Sequence, residues 1–119
     1  MRKLLTALLG LLVVLVVLAA ASMGWALPPD TPAGNAAFKA QCASCHGPDG
    51  AGTSAGRSLN VLDLRSPAVQ GQSDAQLEQI VKNGINNMPG FGDSLSDQEI
   101  AAVVAHVRTF GKTNTPASH

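Results

Sequence analysis

Large aromatic side chains are scarce in this sequence of 119 residues, which has no tyrosine, three phenylalanines and one tryptophan. A small domain with so few large side chains has little material for a core, so a buried cofactor would help to hold it together. Charged residues are also few, at 13% of the chain, and the net charge is zero. Without Arg2 and Lys3, six basic residues stand against eight acidic ones with no basic cluster. This balance argues against a nucleic-acid-binding domain.

Several kinds of functional site lack their required residues. The sequence has two cysteines in all, whereas structural zinc sites are usually rich in cysteine. No strand-rich run surrounds these cysteines, as a thioredoxin-like dithiol would require. Neither paired carboxylates nor a Ser/His/Asp set is recognisable. The protein is therefore predicted not to be an enzyme.

The N-terminal segment carries an export signal. Arg2 and Lys3 precede an apolar run of 18 residues from Leu4 to Ala21, and small residues continue to Ala26. This order is typical of a signal peptide, but the run is also long enough for a membrane-spanning helix. Residues 1–26 are therefore predicted to be a signal peptide or an N-terminal membrane anchor, with Trp25 suited to the membrane interface. Either way, the remaining chain is expected in the periplasm or at the outer face of the cytoplasmic membrane.

The two cysteines are three residues apart and are followed directly by a histidine, in Cys42-Ala43-Ser44-Cys45-His46. In an exported chain, C-x-x-C-H is the attachment site of a c-type haem. Cysteines at this spacing share one side of a helix, so both sulfurs can reach one planar porphyrin. His46 would then bind the iron as the proximal ligand. A redox dithiol and a metal site are the alternatives for this motif.

Met88 is the candidate for the second axial ligand. Beyond the N-terminal segment it is the only methionine, and it lies in the polar loop Asn86-Asn87-Met88-Pro89-Gly90-Phe91. Pro89 stiffens the backbone beside the thioether, and His/Met ligation raises the reduction potential of a haem. The structural alternative for a lone methionine is core filling. His106 is the rival ligand, which would give bis-histidine iron, and His119 is a terminal residue.

Helical patterns account for the rest of the chain. A first helix is predicted from Ala33 to Ser44, and the glycine-rich segment 49–56 is expected to pack around the edge of the cofactor. Two later helices begin at capping boxes, and an apolar segment precedes them. The boxes are Ser73-Asp74-Ala75-Gln76 and Ser96-Asp97-Gln98-Glu99, the helices end at Gly84 and Gly111, and the apolar segment contains Leu59, Val61, Leu62 and Leu64. The prediction is a single all-α domain of three to four helices at residues 34–111, between a linker (27–33) and a flexible tail (112–119).

These motifs resemble those of the small bacterial class I c-type cytochromes, the single-haem cytochrome c family. The resemblance covers about residues 34–111 and rests on Phe38, on Cys42-Ala43-Ser44-Cys45-His46-Gly47 and on Met88-Pro89-Gly90-Phe91. It implies helices wrapped around one covalently attached haem c and its iron. It also implies that Gly34 and Phe38 meet the C-terminal helix around residues 103–107.

Two positions depart from the family's pattern. His106 stands where the family often has tyrosine or tryptophan at the crossing of the terminal helices. Ser58 stands near the place where many members have a proline, whose carbonyl oxygen accepts a hydrogen bond from the proximal imidazole. The sequence therefore identifies no acceptor for the Nδ1–H of His46.

The resemblance implies a monomeric electron carrier that cycles between Fe(III) and Fe(II). Its partners would be redox proteins, such as a reductase and an oxidase of a respiratory chain, that dock transiently at the porphyrin edge near the thioethers. Two other functions stay open. One is a haem enzyme or sensor that binds peroxide, NO or CO at a labile sixth position, and the other is a dedicated haem subunit of a larger oxidoreductase complex.

Overall fold

The computed structural model describes residues 1–20 and 31–113, with the side chains of 18–20 left out. This part of the chain forms seven helices: α1 (Arg2–Ala20), α2 (Pro32–Gln41), α3 (Ala43–His46), α4 (Ser54–Ser58), α5 (Pro67–Gln70), α6 (Asp74–Asn83) and α7 (Asp97–Thr113). In the described ranges, the one β-type pairing is an isolated bridge between Ile85 and Met88. The predicted all-α fold is confirmed, with three of the helices after α1 being short connecting turns.

Helix α1 contains the apolar run as far as Ala20, and its large apolar side chains between Leu4 and Val17 are exposed. In the described ranges, no helix reaches the length and hydropathy required of a membrane-crossing segment. Trp25, most of the 27–33 linker and the tail beyond Thr113 lie outside these ranges. A signal peptide or anchor at residues 1–26 stays a prediction.

The core of the domain lies where α2 crosses α7. Gly34 lies directly against the backbone of α7, since a Cβ atom at this position would collide with the carbonyl group of Ala102. One turn later, Phe38 is 1% exposed, and its ring lies 5.2 Å from that of His106 and 5.3 Å from that of Phe110. The predicted meeting of Gly34 and Phe38 with the C-terminal helix is confirmed.

Both predicted capping boxes are present. The hydroxyl of Ser73 accepts the N–H of Gln76 at 3.2 Å, and the Gln76 side chain accepts the N–H of Ser73 at 2.9 Å. Ser96 and Glu99 exchange the same two hydrogen bonds at 3.2 and 2.8 Å. Each box satisfies two donors that the helix itself leaves unpaired, so the starts of α6 and α7 are encoded locally.

The helix ends agree less closely with the sequence prediction. Helix α6 stops at Asn83 as expected, with Gly84 as a cap in the left-handed region at φ 79°. Helix α7 continues past Gly111 to Thr113. Gly111 has no positive φ, and a Cβ atom there would lie 2.5 Å from the side-chain oxygen of Gln70. Gly111 therefore does not end α7. It lies inside the helix and leaves space for the side chain of Gln70.

The single helix predicted from Ala33 to Ser44 is divided into two helices, α2 and α3. Cys42, at φ −116° and ψ −35°, is the C-cap of α2 and the N-cap of α3. Its N–H still donates to the carbonyl of Phe38 at 2.8 Å, while the N–H groups of Cys45 and His46 donate to its own carbonyl at 3.2 and 2.9 Å. The chain thus turns at Cys42 with its backbone groups paired. No glycine or proline marks this turn in the sequence.

Two polar side chains attach α7 to the segment that precedes α6. The amide of Gln70 donates to the carbonyls of Leu64 at 2.7 Å and Val107 at 3.1 Å. The guanidinium of Arg108 donates to the carbonyl of Gln70 at 2.8 Å, to that of Gln72 and to the carboxylate of Asp74 at 2.8 Å. The Arg108 side chain is 23% exposed. These partners lie 34 to 38 residues away along the chain, so no local sequence pattern indicates this role of Arg108.

We expect Arg108→Ala to lower the free energy of unfolding by about 1–2 kcal/mol, because two backbone carbonyls and one carboxylate lose a charged donor that is only partly exposed. The matched control is Arg65→Ala, which breaks a pair with Asp63 two residues away (2.7 Å). Guanidinium chloride unfolding of the haem-containing protein measures both variants. If Arg65→Ala lowers the free energy of unfolding as much as Arg108→Ala does, the role of Arg108 in attaching α7 is contradicted.

Candidate haem site

One cleft brings together the four residues that the sequence predicted to hold the cofactor. Cys42, Cys45, His46 and Met88 all line it, and its volume is about 1230 Å³ with the open space at its mouth included. Most of its remaining walls are apolar. They come from the segment after α4, from α6 and from the loop after α6, and include Leu59, Val61, Leu62, Leu64, Leu77, Ile80, Ile85 and Phe91. The apolar segment before the capped helices therefore lines the cleft.

The glycine-rich loop packs against the cysteine motif and donates hydrogen bonds to its backbone. The N–H of Gly52 donates to the carbonyl of His46 at 2.7 Å, and the N–H of Thr53 donates to that of Cys45 at 2.9 Å. Gly56 is buried, and a Cβ atom there would collide with the carbonyl of Cys45. Helix α4 begins inside this segment, with the Thr53 hydroxyl accepting the N–H of Gly56 at 3.0 Å. Backbone packing thus fixes α3, and with it Cys45 and His46.

The imidazole of His46 is available as a ligand. Its Nδ1 atom is buried and has no hydrogen-bond partner within the described ranges. Burial lowers the pKa of this imidazole and so favours the neutral form, which has a nitrogen lone pair for a metal. Burial also raises the pKa of the neighbouring Cys42 thiol to about 11. Among residues 1–20 and 31–113, no backbone carbonyl accepts a hydrogen bond from this Nδ1 atom, as a proline near Ser58 does in the family's pattern.

The loop that carries Met88 is attached to the end of α6. Ile85 and Met88 each donate an N–H to the other's carbonyl, at 3.1 and 2.9 Å, and the N–H of Phe91 donates to the carbonyl of Val81 at 2.9 Å. Gly84 lies so close to this loop that a Cβ atom would be 2.6 Å from the carbonyl oxygen of Met88. These contacts define the backbone of the loop that presents Met88. Pro89 adds to them through its fixed φ angle.

These residues fit a covalently bound haem. Both cysteines are free thiols, and a histidine and a methionine in the same cleft supply the two kinds of axial ligand found in cytochromes c. Leu59, Leu62 and Ile85 are 45%, 59% and 50% exposed, the large exposed apolar side chains of residues 31–113. All three line the cleft, where the apolar faces of a porphyrin would cover them. A haem bound there supplies a one-electron Fe(III)/Fe(II) couple.

His106 lies outside this cleft. Its ring is 5.2 Å from that of Phe38 and 5.0 Å from that of Phe110, at interplanar angles of 54° and 76°. It therefore takes the place of the aromatic residue that the family often has at the helix crossing. This location does not favour the bis-histidine alternative, and His119 lies outside the described ranges.

A c-type cytochrome is the class of protein that this fold and cleft define. Comparison with known protein families agrees: residues 29–107 match the family described as cytochrome C oxidase, cbb3-type, subunit III. The chain belongs to this family of c-type cytochrome domains. Membership of this family of cytochrome c domains implies a covalently bound haem c and its iron.

Individual relatives include both oxidase subunits and small cytochromes. The chain is 37% identical over 94 residues to the cbb3-type cytochrome c oxidase subunit FixP of Azorhizobium caulinodans, covering 76% of this chain and 31% of FixP. It is 33% identical over 78 residues to cytochrome c6 of Bryopsis maxima, covering 66% of this chain and 89% of that protein. Among solved structures, the c-type cytochrome KustC0563 is similar with a TM-score of 0.62 and 29% identity, covering 65% of this chain and 95% of that one.

The chain covers a small part of the oxidase subunits but nearly all of a cytochrome c6. The chain spans 31% of FixP and 27% of the subunit CcoP of Rubrivivax gelatinosus. In contrast, it spans 90% of cytochrome c6 of Limnospira maxima. The similarity to the oxidase subunits therefore concerns one part of a longer protein, whereas the similarity to cytochrome c6 extends over nearly that whole protein.

Proposed function

We propose that this chain carries single electrons outside the cytoplasm on one haem c, as a small protein that docks transiently with its redox partners. Cys42 and Cys45 would form the two thioether bonds, and His46 and Met88 would be the axial ligands of the iron. The observation that carries this proposal is the cleft itself. It brings a methionine from the loop after α6 to the cysteine motif of α3, although the two are far apart in sequence.

The surrounding residues suit an electron carrier. Backbone hydrogen bonds fix α3 to the glycine-rich loop and the Met88 loop to α6, so the backbone at both proposed ligands is held in place. The apolar walls would keep water from the iron, which together with a thioether ligand favours a high reduction potential. We place transient docking of a partner at the open side of the cleft, where the porphyrin edge near the thioethers of Cys42 and Cys45 would be exposed.

Mass spectrometry of the protein, produced in a host that exports it and attaches c-type haem, tests the cofactor. We expect each chain to retain the mass of one haem after denaturation, because thioether bonds survive unfolding. The double variant Cys42→Ser/Cys45→Ser should lose this mass. Ser44→Ala, which changes an exposed residue between the cysteines, should keep it. A haem that dissociates from the denatured wild type would contradict the proposal, as would a mass of two haems per chain.

The family match favours a second candidate, a haem subunit of a larger oxidoreductase complex. Residues 29–107 match a family described as an oxidase subunit, and the chain is similar to part of FixP and of CcoP. Both candidates use the same haem chemistry and differ in the partner. Native electrophoresis of membrane and soluble extracts, stained for covalent haem, separates them. Migration near the chain's own mass supports the carrier, and co-migration with a terminal oxidase supports the subunit.

A further inference from the structure

We propose that Asn87 is a positioning residue that holds Met88 in the cleft through a hydrogen bond across the mouth. The side-chain amide Nδ2 of Asn87 donates to the carbonyl oxygen of Leu59 at 3.3 Å. Asn87 directly precedes Met88, and Leu59 is the C-cap of α4. The inference rests on the proposed function, because it concerns Met88 as a ligand.

This hydrogen bond connects the two sides of the site. On one side, α4 packs against the cysteine motif through Gly56, which lies against the carbonyl of Cys45. On the other side, the described backbone hydrogen bonds of residues 85–91 join the loop to itself, to α6 and to Ser94 and Leu95, which follow it directly. Within residues 85–91, Asn87 is the residue whose side chain makes a hydrogen bond. Its amide thus attaches the Met88 side of the cleft to the His46 side.

The backbone around both partners is shaped for this contact. Asn60 and Asn86 are the non-glycine residues with positive φ in the described ranges, at 57° and 51°. One follows Leu59 and the other precedes Asn87. Asparagine is among the few residues that adopt this conformation at modest cost. The chain therefore makes a left-handed turn directly beside each partner of the bond, which is a second observation that the two loops are arranged to meet.

The expected consequence is that Met88 leaves the iron more easily when the bond is absent. An added ligand such as imidazole then competes better for the sixth position. One exposed hydrogen bond of this kind corresponds to a change of about twofold to tenfold in the equilibrium. We therefore expect Asn87→Ala to tighten imidazole binding to the oxidised protein by that factor.

The experiment titrates the oxidised, haem-containing protein with imidazole and follows the weak red absorption band given by a methionine bound to ferric haem. The variants are Asn87→Ala, Asn87→Gln, which keeps an amide donor, and Asn83→Ala. Asn83 is the matched control, because its amide donates to Gln79 within α6 at 2.9 Å and does not cross the cleft. Guanidinium chloride unfolding of each variant is measured in parallel.

We expect tighter imidazole binding for Asn87→Ala, a return toward the wild-type value for Asn87→Gln, an unchanged value for Asn83→Ala and similar unfolding midpoints throughout. If the wild type shows the band but Asn87→Ala binds imidazole like Asn83→Ala, the positioning role is wrong and the proposed function stands. A fall in the unfolding midpoint without a change in imidazole binding overturns the role in the same way. A wild type without the band overturns both proposals.

Discussion

Met88→Ala is expected to lower the reduction potential by on the order of 0.1 V or more, since axial ligands set haem potentials over a range of about 0.8 V. A soft thioether favours Fe(II), and alanine removes it. The reduced variant should also bind carbon monoxide, because its sixth position is open. We expect the fold to be retained, since backbone hydrogen bonds from Ile85 and Phe91 shape the Met88 loop.

Potentiometric titration and carbon monoxide difference spectra measure these two effects. The matched control is Ile85→Ala, which changes a half-exposed apolar residue of the same loop and cleft and leaves the thioether in place. It should have a potential close to that of the wild type and should not bind carbon monoxide. If the reduced wild type binds carbon monoxide as rapidly as Met88→Ala, then Met88 is not a stable ligand. The chain would then be better explained as a haem enzyme or sensor.

Gly34→Ala is expected to lower the free energy of unfolding by about 2 kcal/mol, the upper end of an overpacking cost less the gain in helix propensity. A methyl group at this position would collide with the carbonyl of Ala102, and a backbone group cannot rotate away as a side chain can. The helices α2 and α7 would have to separate, which also loosens the packing of Phe38 on Phe110. Overpacking typically costs about 1–3 kcal/mol, and it outweighs the gain of about 1 kcal/mol in helix propensity only if the helices cannot adjust.

Guanidinium chloride unfolding of the haem-containing protein tests this prediction. Lys39→Ala is the control on the same helix, because Lys39 is exposed and α2 keeps its contacts without it. We expect little change for that variant. An unchanged or higher stability for Gly34→Ala would show that the two helices can separate slightly at no cost, which would contradict the close crossing.

The parts of the fold that could be predicted from the sequence depend on neighbouring residues. The capping boxes at Ser73 and Ser96 act over three residues, and the structure contains both. The crossing of Gly34 and Phe38 with α7 was implied by family resemblance and is also present. For the site, the spacing of Cys42, Cys45 and His46 was sufficient to indicate a haem. The structure then brings Met88 into the same cleft.

The parts that could not be predicted either have no local signal in the sequence or depend on distant contacts. The end of α2 at Cys42 has no local signal, since its backbone groups remain hydrogen-bonded through the turn. Gly111 reads as a helix end in sequence, but its role is to leave space for Gln70 from another part of the chain. The partners of Arg108 lie 34 to 38 residues away, and Asn87 bonds to a backbone carbonyl 28 residues away. Every residue type has a backbone carbonyl, so the sequence does not indicate which residue accepts such a hydrogen bond.

Proton NMR of the reduced protein tests most directly the proposal that Met88 closes the iron site opposite His46. The ring current of a porphyrin shifts the protons of a group held against its face far upfield. We predict one strongly upfield-shifted methyl resonance in the wild type, which Met88→Ala loses and Ile85→Ala keeps. A reduced, haem-containing wild type without such a resonance, or one in which Met88→Ala retains it, would contradict the proposed ligation.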